Sequence, residues 1–175
     1  IANLNMLAAC IWLMLGGLSF MALDIYLKKI ATPASQLAAM LSDFIPESIA
    51  LGAAFATGSN NAFLLAGLIA LQNLPEGFSA YRELNSSSVY TPKKIITTFS
   101  LMAALGPIAA VSGYFWLSES PEIIGAVMLF ASGGILYSIF QDIAPQVKLD
   151  KHWAPPMGAV LGFTLGMLGL MLTTA

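Results

Sequence analysis

The chain of 175 residues is 58% hydrophobic and only 9% charged, with a formal net charge of −2 and a mean hydropathy of +0.80. A soluble domain carries about 25% charged residues, so this composition excludes one and points to a polytopic membrane protein. The near-neutral charge implies no nucleic-acid partner, the single Cys10 excludes an internal disulfide or a cysteine metal cluster, and the single His152 excludes a multi-histidine site within one chain.

Six segments are long enough to cross a bilayer, which takes about 20 mostly apolar residues. They fall near 3–27, 37–57, 61–81, 94–117, 121–145 and 154–174. The expected fold is therefore all-α, one transmembrane domain over residues 1–175. The first residue is Ile rather than Met, with no charged stretch before the first apolar run, so the start reads as the cut or processed end of a longer chain.

In the first segment Asp24 stands four residues before Lys28, an expected i,i+4 ion pair at the membrane surface. Lys28-Lys29 through Pro33 closes that segment, and Thr57 to Asn61 forms a tight turn between the second and third, with Ser59 or Asn60 as N-cap. In the fourth, Gly106-Pro107 predicts a kink. Pro121 opens the fifth helix near its first position. Asp142 lies just before Pro145 at the end of that helix, and His152 with Trp153 reads as an interfacial anchor. In the last segment Gly158, Gly162 and Gly166 form a small-residue packing face, suited to helices within the chain or to a homodimer.

The spans also sort the charges. If the first runs from side one to side two, every Lys and Arg falls on side two, while Glu119 and Glu122 fall on side one. By the positive-inside rule side two is cytoplasmic, and both ends of the segment face away from the cytoplasm. This predicts a multi-pass protein of the plasma or inner membrane.

The second and third segments carry Asp43-Phe44-Ile45-Pro46-Glu47-Ser48 and Gln72-Asn73-Leu74-Pro75-Glu76-Gly77. Four residues is about one helical turn, so Asp43 shares a face with Glu47 and Gln72 with Glu76. Pro46 and Pro75 lack an N–H, so the carbonyls of Ser42 and Leu71 lose their usual helical donor. Counted outward from the turn, Glu47 pairs with Gln72 and Asp43 with Glu76, one turn deeper. The four form two layers near mid-membrane, with Asn73 alongside.

An acidic residue at the centre of a membrane helix costs about 2.5–3.5 kcal/mol on the insertion scale, so three in one hairpin need a reason. Structural kinks with protonated Glu, or a wet cavity that binds nothing, would supply a bland one. A divalent cation supplies a better one, because oxygen donors suit it and its charge offsets the cluster. Carboxylates this close share protons when no cation is present, and a cation would displace them. A polar site on interrupted helices at mid-membrane is also the plan of many secondary transporters.

The hairpin resembles the paired metal-binding helices of the ZIP family of zinc and iron transporters. The second motif is kept as Gln72-Asn73-Leu74-Pro75-Glu76-Gly77. The first departs from the family, with Asp43, Phe44 and Ser48 where His, Asn and Gly are common. Ala131 to Gln146, with Gly133-Gly134, resembles the family's seventh span. The match covers nearly the whole chain, as the last six of eight spans, with two N-terminal spans lacking.

The resemblance implies transport of Zn²⁺, or of Fe²⁺, Mn²⁺ or Cd²⁺, toward the cytoplasm. It implies a metal set of Asp43, Glu47, Gln72 and Glu76, with Asn73 a weak extra. It implies one ion rather than two, because Phe44 cannot ligate and Gly106 stands where binuclear relatives have Glu. No catalytic cofactor is expected. A membrane metalloprotease is disfavoured, since His-Glu-x-x-His is absent. Two rivals stay open: a proton-linked transporter of another solute that uses Glu47 and Glu76 as a relay, and a non-transporting metal sensor.

Overall fold

The structure is a computed structural model that describes residues 4–30, 34–58, 61–87, 89–117, 119–147 and 153–174. His152 and the proposed caps Ser59 and Asn60 lie outside the described residues. The described chain is helical. Helix α1 spans Met6–Ile30, α2 Ala34–Ala56 and α3 Asn61–Ser86. Helices α4 (Pro92–Ala103) and α5 (Leu105–Trp116) follow, then α6 (Pro121–Ser138). A π-helical turn at Ile139–Ile143, a short α7 (Ala144–Gln146) and α8 (Ala154–Thr174) complete the chain.

Four helical stretches among the described residues are long and apolar enough to cross a membrane: Met6–Ile30, Pro92–Trp116, Pro121–Gln141 and Ala154–Leu172. Helices α2 and α3 are 23 and 26 residues long and carry the polar motifs. Both continue unbroken through Pro46 and Pro75.

The breaks have local causes. Pro107 removes the N–H that would bond the carbonyl of Ala103, and the helix breaks there, with Ala104 joining α4 to α5. This is the kink that Gly106-Pro107 predicts, displaced toward the carbonyl that loses its donor. Pro145 does the same for the carbonyl of Gln141, inside the π-helical turn. There the Ala144 N–H bonds the carbonyl of Ile139, one residue further back than in an α-helix. Thr91 caps α4 through its side chain, and Pro121 is the first residue of α6, as expected. Gly58 takes φ +65°, the left-handed conformation that lets α2 turn tightly toward α3.

Two helix pairs approach so closely that glycine is required. Gly16 rests on the backbone of Phe130, Gly133 on the carbonyl of Leu13, and Gly134 on the ring of Phe20, which binds α1 to α6. Gly52 meets the backbone of Ala110 and Gly113 that of Ile49, which binds α2 to α5. Added side chains at Gly16, Gly52, Gly113 and Gly133 would collide with main chain that cannot move aside. The crossing glycines admit direct backbone contact, the mode of association that works where no hydrophobic gradient separates helices.

These contacts also fix direction. Moving along α1, Leu13, Phe20 and Asp24 meet Gly133, Gly134 and Tyr137, so α1 and α6 run parallel. Phe44 meets Gly106 and Ile49 meets Gly113, so α2 and α5 do too. Phe55 and Phe63 stack edge to face at 5.2 Å across the α2–α3 turn, so that pair is antiparallel. Leu64 packs on Gly169, placing the start of α3 beside the end of α8. Alternating crossings by six segments require this set of directions.

Candidate metal site

The site is built on one face of α2. Asp43 and Glu47 are each only 8% exposed and Ser48 is 6% exposed, the buried polar residues of the described chain. The four-residue spacing puts both carboxylates on one stripe of the helix. Against them stands α3. Gln72 Nε2 donates a hydrogen bond to Glu47 Oε1 at 3.2 Å, which makes the lower layer inferred from the spacing. Asp43 lies within electrostatic reach of Glu76 and of Glu47, and Glu47 within reach of Glu76, so the three carboxyl groups act on one another.

Two oxygens at this site are buried with no hydrogen-bond partner: Asp43 Oδ1 and Glu47 Oε2. A buried acceptor left unsatisfied costs about 1–3 kcal/mol, and more when charged. The hydrogen bond from Gln72 satisfies one Glu47 oxygen and leaves the other open. Two orphaned hard oxygens on adjacent turns, with Glu76 in reach, are the donor chemistry a divalent cation takes. Among the described residues, no three His, Cys, Asp or Glu side chains converge as a closed metal cage.

The remaining expected residues lie as follows. Asn73 Nδ2 donates to the carbonyl of Ile69, one turn back on its own helix, at 2.9 Å. Phe44 fills the space between α2 and α5, where a Cβ at Gly106 would lie 2.5 Å from its ring tip. Asp142 falls in the π-helical turn.

Asp24 forms its expected ion pair with Lys28 at 2.8 Å. It has a second partner that sequence reasoning missed, since Tyr137 Oη donates to the same carboxylate oxygen at 3.0 Å. That bond ties α1 to α6 one turn beyond the glycine contacts. No spacing rule links residues so far apart, and only the parallel packing brings them together.

The glycines of α8 fare differently from those of the other pairs. A Cβ at Gly158, Gly162 or Gly166 would meet nothing within 4 Å beyond its own stretch of helix, so the packing face expected of them is open in this chain. No family model matches the chain, and neither does any curated protein or solved structure.

Proposed function

We propose that this protein carries a divalent metal cation, Zn²⁺ first, across a membrane toward the cytoplasm. Asp43, Glu47 and Glu76 are the ligands, and Gln72 sets the orientation of Glu47. The observation that carries this reading is the pair of buried, unpartnered carboxylate oxygens facing a polar stripe on α3. An ion between the layers would satisfy both oxygens and offset the mutual repulsion of three acids. The resemblance of the two Pro-Glu motifs to those of ZIP transporters supports the same choice. Asn73 remains a weak extra donor through its Oδ1, since its Nδ2 is engaged with the Ile69 carbonyl.

The alternation of helix directions supports a six-span arrangement, with the Lys and Arg residues on the cytoplasmic side. Pro46 and Pro75 weaken the helices where the ligands sit, which suits a site that must open to each side in turn.

The test is uptake of Zn²⁺ into proteoliposomes by the full chain, compared with Glu47→Ala and Glu76→Ala. The reading expects uptake that both changes abolish. Uptake indifferent to both would sink the site, and folded protein without uptake of any divalent ion would sink the function. The absence of a closed three-donor cage among the described residues favours one second reading, a proton relay through Glu47 and Glu76. Solute transport that needs both acids but ignores divalent metals would establish that instead.

A further inference from the structure

The parallel pair α1–α6 meets α2 imperfectly and leaves a groove. Its walls include Leu4 and Trp12 at the start of the chain, Ile49 of α2, and Ala126, Val127 and Phe130 of α6. The space is about 440 Å³, within the roughly 300–1,000 Å³ of sites that hold small molecules. Asp43 and Glu47 do not line it, so it is separate from the candidate cation site.

One ionisable side chain lines this apolar groove, that of Glu122. Among the described residues Glu122 has no ion-pair partner. The nearest basic residues along α1, Lys28 and Lys29, lie in its last turn. Trp12 and Glu122 belong to the opening turns of the two parallel helices, at the other end. Among the described residues no basic side chain pairs with the exposed Glu122, so its carboxylate is open to a cation from outside the protein.

We propose that this groove seats an acyl chain of a phospholipid whose ammonium headgroup pairs with Glu122, namely phosphatidylethanolamine. Apolar walls accept the chain, and the lone carboxylate at the rim selects a headgroup with a hydrogen-bonding cation over an anionic one. Trp12 stands where an indole straddles tail and headgroup regions. The proposal goes beyond metal transport and rests only on α1 and α6 crossing the bilayer. Because Pro46 and Ile49 form part of the wall, a seated chain braces α2 from a face that carries neither Asp43 nor Glu47.

The experiment is native mass spectrometry of the full chain in detergent. The delipidated protein is offered phosphatidylethanolamine or phosphatidylglycerol with identical acyl chains. The expected result is one retained phosphatidylethanolamine per chain, favoured about fivefold over phosphatidylglycerol, the scale of one interfacial charge contact. Glu122→Gln removes that preference, and Val127→Trp, which fills the groove, lowers retention of both lipids. Glu122→Gln leaves the packing untouched, so it decides the matter even if Val127→Trp misfolds. Equal retention of the two lipids by the parent protein, or an unchanged preference in Glu122→Gln, overturns the proposal. Neither readout involves metal uptake, so failure here is distinct from failure of the transport reading.

Discussion

At the residue scale, Gln72 is the side chain whose role the geometry sharpens. It holds one oxygen of Glu47 and leaves the other open. Gln72→Leu keeps the volume and removes the donor, freeing Glu47 to turn and adding a desolvated acceptor. A hydrogen bond to a charged group contributes about 1.5–3 kcal/mol, so metal affinity should fall by at least tenfold in a calorimetric titration with Zn²⁺ or Cd²⁺. Binding should also release protons, since ligand carboxylates must be ionised to hold the ion. Affinity therefore rises as pH rises, and titrations in buffers of different ionisation enthalpy should differ by the heat of the protons taken up. That Asp43, Glu47, Gln72 and Glu76 lie near one another was legible from four-residue spacing and apolar context alone. The orientation of Asn73 was not, because a side chain's choice between its own backbone and a neighbouring helix depends on where that neighbour lies.

At the element scale, the glycines divide into those that hold helices together and those that face open space. Gly113 of α5 sits on the backbone of Ile49, so Gly113→Leu must separate α2 from α5 or fail to fold. Overpacking costs about 1–3 kcal/mol where side chains can yield, and more where the obstacle is main chain. A clear drop in thermal midpoint is expected. Gly162→Leu, on the open face of α8, should leave the midpoint of the isolated chain within a degree or two. Tyr137→Phe removes the hydrogen bond from Tyr137 on α6 to Asp24 on α1. It should cost about 1 kcal/mol in a denaturation series without affecting metal binding. The Gly106-Pro107 pair announced the break near Ala104 through the missing N–H, whereas the π-helical turn before Pro145 was not foreseen. Which glycines would be buried was not legible, because identical Gly residues repeat in α6 and α8 and only the partner helix distinguishes them.

At the scale of the whole molecule, the proposed six-span arrangement makes a directional claim. Cys10 is the chain's single cysteine, so a Cys10→Ser background allows sites to be probed one at a time. A membrane-impermeant maleimide should label Glu119→Cys in intact cells and Arg82→Cys only after permeabilisation. Labelling of both from one side would refute the topology. By itself the sequence determined that the chain is helical and apolar, roughly where each helix starts and stops, and that one hairpin carries acids in register. Those properties follow from hydropathy, helix period and proline chemistry, all local to a segment. The tertiary structure decided that α1 pairs with α6 and α2 with α5, that Phe44 closes the space beside Gly106, and that two carboxylate oxygens are left without partners. It also decided that a groove opens beside Pro46. Each of these depends on contacts between segments far apart in the chain, where almost any apolar helix can pack on another and only the match of small and large side chains selects the pair.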